Sequence, residues 1–97
     1  MTDHHLNAQD NINTVRAWIN TALPRGLEGP AESAFWYLET ANERLRANDI
    51  TWAQKEIVDA IGRLREHLAL PHTEEERPAL QEAIDRLEQI LADLADS

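Results

Sequence analysis

The sequence predicts an all-α fold, a small antiparallel four-helix bundle. Apolar residues recur at three- and four-residue steps in four segments, and no segment alternates in the manner of a strand. The connections between these segments are short, which favours antiparallel packing of neighbouring helices. The predicted helices span about residues 8–23, 30–48, 51–70 and 74/78–95.

The chain length of 97 residues fits one bundle domain, predicted over residues 7–97, preceded by a flexible N-terminal arm at residues 1–6. There is no cysteine, which excludes disulfides and thiolate chemistry. No apolar run is long enough to cross a bilayer, and the N-terminus lacks a signal-peptide pattern. We therefore expect a cytoplasmic protein that does not bind membranes.

The third helix, residues 51–70, is the segment around which the bundle is predicted to assemble. Thr51 and Gln54 have the spacing of a capping box at its start, and Pro71 ends it. One apolar stripe runs along it, formed by Ile57, Ala60, Ile61, Leu64 and Leu68. Because one helix cannot bury its own stripe, the other segments must cover it. Gly62, inside this helix, indicates either a close helix crossing or simple tolerance.

The first two helices flank a loop over residues 24–29. Helix one has a stripe of Ala8, Ile12, Val15, Trp18, Ile19 and Ala22, so Trp18 is predicted to be part of the core. Asn7 or Asp10 could cap its start. Pro30 suits the first turn of helix two, whose stripe is Ala34, Leu38, Ala41 and Leu45.

The fourth helix has two candidate starts. Thr73 and Glu76 could form a second capping box, or residues 73–77 could be a separate turn with Pro78 opening the helix. Its core stripe is the clearest in the chain: Leu80, Ala83, Ile84, Leu87, Ile90, Leu91 and Leu94.

Charge gives the main functional indication. Eighteen acidic residues against nine basic ones, a formal net charge of −9, argue against direct binding to nucleic acid. From Glu74 onward there are eight acids and two arginines, and one outer sector of helix four is predicted to carry Glu82, Asp85, Gln89, Asp93 and Asp96. This ridge is either an ordinary solvated face or a surface that docks a basic groove.

The aromatic run Phe35-Trp36-Tyr37 lies in helix two. Trp36 is predicted to point away from the core, on the same face as Glu39 and Glu43. An exposed tryptophan beside acids is typical of an interface anchor, although helix one or a second subunit could also cover it. Trp52 is predicted to close the bundle end over the turn between helices two and three.

Four carboxylates form the candidate catalytic set: Glu39, Glu43, Glu56 and Asp59. Over residues 38–64 the chain resembles the MazG-like all-α nucleoside-triphosphate pyrophosphohydrolases, whose motif is Glu-Glu-x-x-Glu followed by Glu-x-x-Asp on the next helix. The resemblance implies a Mg²⁺ site on these carboxylates. The chain departs from the motif at Thr40, which replaces the second Glu, and at Arg44.

No other cofactor or metal site is predicted. The histidines lack helical pairing, and there is no phosphate-binding glycine loop. Asp59 with Arg63 and Glu82 with Arg86 have the spacing of helix-supporting ion pairs.

The preferred hypothesis is a non-enzymatic module that binds the basic, nucleic-acid-binding surface of a partner protein. In size, charge and helicity, the chain resembles phage-encoded inhibitors of host defence, including anti-CRISPR proteins. A degenerate pyrophosphohydrolase and a homodimeric scaffold are the alternatives, so the chain is expected to be a monomer or a homodimer.

Overall fold

Four α-helices make up the described part of the chain. The computed structural model describes residues 2–23, 26, 28–71 and 73–95, with side chains from Asn7 onward. The helices are α1 (Thr2–Ala22), α2 (Gly29–Arg46), α3 (Ile50–Leu68) and α4 (Arg77–Ala95). The described residues include no strand, and the predicted fold class is confirmed.

The helix boundaries differ from the predicted ones by a few residues. The largest difference is in α1, which begins at Thr2, so residues 2–6 are helical where an arm was predicted. The flexibility of that segment stays a prediction. Helices α1, α2 and α3 end one or two residues earlier than the sequence indicated. Terminal turns are the least constrained part of a helix, because their backbone groups lack intrahelical partners.

The helices pack as a square in chain order. Each contacts its neighbours, with α1 also packing against α4, and the diagonal pairs α1–α3 and α2–α4 do not approach within 8 Å between Cα atoms of the described residues. The bundle measures 42 × 18 × 18 Å. Contacts between Asn13 and Asn42 and between Arg16 and Glu39 show that α1 and α2 are antiparallel.

The core is one cluster to which all four helices contribute. Every apolar residue predicted for the α3 stripe is buried, as are those of α2. In α4 only Leu91 of the predicted stripe is partly exposed, and in α1 Trp18 and Ala22 are half-buried. The prediction that Trp18 is part of the core is therefore wrong: the residue is half-buried, outside the buried cluster, and Arg86 of α4 lies 4.8 Å from the ring centre.

The connection between α2 and α3 corrects the predicted capping box. Asn48 takes a positive φ of 62°, a conformation that asparagine tolerates, and its N–H bonds the Leu45 carbonyl. The Asp49 N–H bonds the Arg44 carbonyl at 2.8 Å, which completes a Schellman turn. The Asp49 carboxylate then accepts the Trp52 N–H and caps α3. Thr51 therefore lies inside the helix and does not cap it.

The connection between α3 and α4 forms the separate turn that was one of the two alternatives. Thr73 is buried, and its hydroxyl donates to the carbonyls of Leu68 and Leu70. Arg77 also donates to the Leu68 carbonyl, at 3.1 Å. Thr73 therefore supplies hydrogen bonds to carbonyl groups at the end of α3 and does not cap α4. The second predicted capping box is wrong.

Two positions on the helices are not occupied by apolar side chains of the usual kind: Asn42, which is buried, and Gly62, which has no side chain. Asn42 is 1% exposed and donates to the Asn13 side chain at 2.8 Å, while its own Oδ1 has no partner among the described residues. A Cβ added at Gly62 would meet nothing within 4 Å. The close helix crossing considered for Gly62 is therefore absent.

Candidate functional site

The outer side of the α2–α3 pair carries the exposed tryptophan. Trp36 is 53% exposed, which confirms the predicted outward orientation. A shallow groove open to solvent runs beside it between the two helices, lined by Ser33, Trp36, Tyr37, Thr40 and Glu56. The groove lies on this side because Tyr37 and Thr40 follow Trp36 on the part of α2 that faces α3.

Cations cover the rings of three other aromatic residues. Arg16 lies 4.5 Å from the Phe35 ring centre, Arg86 covers Trp18, and both Arg44 and Lys55 approach Trp52. Among the described residues no cation lies over Trp36, and the one aromatic ring it contacts is that of Phe35, edge to face at 5.3 Å. Trp36 therefore has a large part of its aromatic surface free for a partner.

Trp52 is 47% exposed, so it does not seal the bundle end as predicted. The Arg44 guanidinium lies 5.7 Å and the Lys55 ammonium 4.8 Å from its ring centre. Such pairs contribute about 0.5–1 kcal/mol at exposed sites. Trp52 thus already interacts with two cations of the protein, whereas Trp36 interacts with none among the described residues.

Two of the four candidate catalytic carboxylates, Glu43 and Asp59, influence a third, Glu56. Burial raises the pKa of Glu56; Arg44 opposes the shift, while Asp59 and Glu43 reinforce it. Glu56 Oε2 is buried and accepts no hydrogen bond from any described residue. Glu39 is placed differently: it faces α1, where its carboxylate lies 3.8 Å from the Arg16 guanidinium.

The carboxylates do not form a metal cage. Within the described part of the chain, no group of three or more His, Asp or Glu side chains is arranged to hold a metal ion. Glu43 and Asp59 lie close enough to Glu56 to influence it electrostatically. Arg63, expected to pair with Asp59, instead bonds Glu66 at 3.1 Å. A hydrogen bond with Tyr37 and the charge of Glu66 raise the pKa of Arg63.

The acidic residues of α4 lie on the opposite side of the bundle. Glu82, Asp85 and Asp93 are exposed as predicted, whereas Asp96 lies outside the described residues. The Gln81 amide donates to Asp85 at 3.2 Å, and the Gln89 amide donates to Asp93 at 3.1 Å. We call this exposed side of α4, defined by Glu82, Asp85 and Asp93, the α4 acidic face.

Ion pairs neutralise part of the negative charge of α4. Glu82 pairs with Arg86 at 3.4 Å, as the sequence predicted, and Glu88 pairs with Arg65 of α3 at 2.9 Å. Asp85 and Asp93 have only neutral glutamine partners among the described residues. Residues 74–95 carry seven acids and two arginines, whereas residues 29–68 carry seven acids and five bases. The negative charge of the protein is therefore concentrated on the α4 side.

The predicted partner-binding residues divide into two surfaces. Trp36, Glu39 and Glu43 lie on α2, and the α4 acidic face lies on the helix diagonal to it. Outer faces of diagonal helices point in opposite directions, so one flat partner cannot contact both. The sequence could not reveal this separation, because it depends on how the four helices are arranged around the core.

The polar cluster at the end of α3 was missed by the sequence analysis. His67 is 6% exposed, and its Nε2 lies 2.5 Å from the Glu76 carboxylate. The one available signal was position: His67 falls on the apolar stripe of α3, three residues after Leu64. The cluster joins α3 to the turn before α4, and its contacts are explained by that structural role.

No helix of the described residues combines the length and apolar character that crossing a membrane requires. Comparisons with protein-family models, curated proteins and solved structures found no match to this chain. The fold and the two surfaces define its class: a small, acidic, all-α four-helix protein.

Proposed function

We propose that the protein is a non-enzymatic binding module whose α4 acidic face docks a basic surface of a partner protein. The observation that supports this most is the segregation of charge. Residues 74–95 have a net charge of −5, and Asp85 and Asp93 point to solvent without a cationic partner among the described residues. Carboxylates in this state attract a basic surface and speed its association.

A rigid presentation supports the same proposal. Asp85 and Asp93 are eight residues apart on α4, a rise of about 12 Å along the helix axis. Their glutamine partners, Gln81 and Gln89, limit the number of positions each carboxylate samples. A fixed row of carboxylates can compete with phosphates for the arginines and lysines of a nucleic-acid-binding groove. In this proposal the protein acts as an inhibitor or regulator of such a partner.

The test is affinity capture of a partner from a host lysate, identification of that partner, and measurement of its affinity at increasing salt. We expect affinity to fall with salt and to fall by about tenfold or more in the double variant Asp85→Lys/Asp93→Lys. The control is Asp10→Lys/Glu28→Lys, which reverses two exposed acids outside α4 and makes the same change in net charge.

Two results would contradict the proposal. One is an affinity that does not respond to salt. The other is an equal loss in the α4 variant and in its control, since this would show that total charge matters and the α4 acidic face does not. Addition of duplex DNA or RNA then tests the inhibitory role: a nucleic-acid mimic must compete with nucleic acid for the captured partner.

The pyrophosphohydrolase alternative is supported by the proximity of Glu43 and Asp59 to Glu56, whose pKa they help to raise. It is weakened by the position of Glu39, which faces Arg16 of α1. Titration calorimetry with Mg²⁺ and nucleoside triphosphates tests it, and an absence of binding at millimolar nucleotide would remove it. The scaffold alternative predicts a dimer that becomes monomeric in Trp36→Ala, which light scattering measures directly.

A further inference from the structure

We propose that the groove between α2 and α3 binds an arginine side chain of a partner protein. Its guanidinium would stack on Trp36 and form hydrogen bonds with the Glu56 carboxylate. This site lies away from the α4 acidic face and does not depend on the function proposed for that face. Three observations about the groove support the inference.

The first observation is the free aromatic surface. Trp36 lines the groove, is 53% exposed, and has no cation over its ring among the described residues. Trp18 and Phe35 in the same protein each lie against an arginine, so intramolecular guanidinium groups already occupy comparable ring surfaces. Tryptophan has the strongest attraction for cations of the aromatic side chains.

The second observation is a carboxylate without a donor. Glu56 lines the same groove, and its buried Oε2 has no hydrogen-bond partner in the part of the chain that the structure describes. A buried acceptor that lacks a partner is unfavourable, so a donor that reaches it is favoured. The terminal torsion of a glutamate side chain rotates easily, so both carboxylate oxygens can be presented to the groove.

The third observation is the local charge. The ionised groups that influence Glu56 are Arg44, Asp59 and Glu43, so this end of the groove has more acids than bases. Arg44 forms no hydrogen bond with Glu56, and its guanidinium lies over the Trp52 ring. Arg63, at the other end, interacts with Tyr37, and its charge is paired with Glu66 at 3.1 Å. The groove therefore favours an incoming cation.

The chemistry of the two groups selects arginine over lysine. A guanidinium is planar, stacks on an indole, and offers two parallel N–H groups that match a carboxylate. A lysine ammonium is a point charge with a tighter hydration shell, and it makes only the electrostatic part of these contacts. Arginine is accordingly the occupant to which the proposal commits.

The experiment is an NMR titration of the intact protein that follows the three indole N–H signals, assigned with single Trp→Phe variants. The probe is Nα-acetyl-arginine methylamide, which mimics an arginine within a peptide. The comparison probes are the lysine analogue, the uncharged citrulline analogue and free arginine. We expect a saturable shift of the Trp36 signal with a Kd in the millimolar range or below, weaker binding of the lysine analogue, and none of the citrulline analogue.

The variants locate the binding site. Glu56→Gln and Trp36→Ala should each weaken the arginine probe by about fivefold or more, as expected for loss of a charge-assisted hydrogen bond or of a cation–π contact. Because Trp36→Ala lacks the Trp36 indole signal, its affinity is followed through the backbone amide signals of Thr40 and Glu56, which line the groove. Val58→Ala is the control, because Val58 is 54% exposed and lies on the side of α3 opposite Glu56. Each variant changes a partly or fully exposed side chain, and its fold is checked by circular dichroism.

Four results would overturn the inference. These are a Trp36 shift that does not saturate, an equal response from the citrulline analogue, equal shifts of Trp36 and Trp52, and an affinity that Glu56→Gln leaves unchanged. Tighter binding of free arginine than of the blocked probe would identify a metabolite site and would also exclude a partner side chain. Because none of these measurements involves α4, failure here leaves the function proposed for the α4 acidic face intact, and the converse also holds.

Discussion

His67 Nε2 lies 2.5 Å from the Glu76 carboxylate, and this contact joins the last turn of α3 to the turn that precedes α4. Both side chains are largely shielded from water. The contact has a consequence for stability, since removal of one partner leaves a buried polar group unsatisfied.

The variant Glu76→Ala should lower the free energy of unfolding by about 1–3 kcal/mol, because it leaves His67 buried without its partner. Glu75→Ala is the matched control: Glu75 lies in the same turn near the start of α4 but is exposed. Its loss should change stability by no more than about 0.5 kcal/mol. Urea unfolding followed by circular dichroism measures both, and equal effects would show that the His67 contact contributes nothing.

The start of α3 gives a second prediction, which distinguishes two caps. Asp49→Ala should destabilise the protein by about 1 kcal/mol, because it removes the carboxylate that accepts the Trp52 N–H. Thr51→Ala should be neutral or slightly stabilising, since Thr51 is exposed inside the helix and alanine is the better helix former. Thermal unfolding of the two variants measures both changes in stability. A larger loss from Thr51→Ala would restore the capping box that the sequence suggested.

Gly62 gives a stabilising prediction. Gly62→Ala should raise the free energy of unfolding by about 0.5–1 kcal/mol, because alanine restricts the unfolded chain and its Cβ meets open space. Denaturant unfolding measures the gain. A loss of stability would mean that another helix packs directly on this position.

Glu56 gives a pH-dependent prediction. Burial raises its pKa above the ordinary value of 4.5, so the folded state holds the proton more tightly than the unfolded chain does. The group therefore favours folding below its ordinary pKa, and this contribution is lost as pH rises through the raised folded-state value. Glu56→Gln should then be more stable than the parent at about pH 7, by up to roughly 0.5 kcal/mol at this partly solvated position, and equal to it near pH 3.

The measurement is thermal unfolding of Glu56→Gln and the parent across this pH range. Glu32→Gln is the control, as it removes one negative charge from an exposed position of α2 that does not influence Glu56. A Glu56→Gln variant that is less stable than the parent at neutral pH would show that the Glu56 charge is stabilised by the fold, with Arg44 outweighing burial.

Much of the fold could be predicted because burial follows helical periodicity. Ile57, Leu64 and Leu68 are buried because their three- and four-residue spacing puts them on one side of α3. The same rule placed Trp36, Asp85 and Asp93 at the surface. The residue that caps each helix could not be predicted, because several side chains near each helix start have an oxygen that could accept the hydrogen bond. Tertiary contacts decide which are used: Asp49 caps α3, and Thr73 instead serves the carbonyls of Leu68 and Leu70.

The sequence by itself determined four helices, the residues that form their shared core and the helix on which the acids collect, since these depend on spacing along the chain. Only the tertiary structure decided that Trp36 and the α4 acidic face lie on opposite sides, that Glu56 lines a groove with a free indole, and that His67 bonds Glu76. The physical reason is that these relationships join residues of different helices, and their geometry is set by how the helices pack around the core.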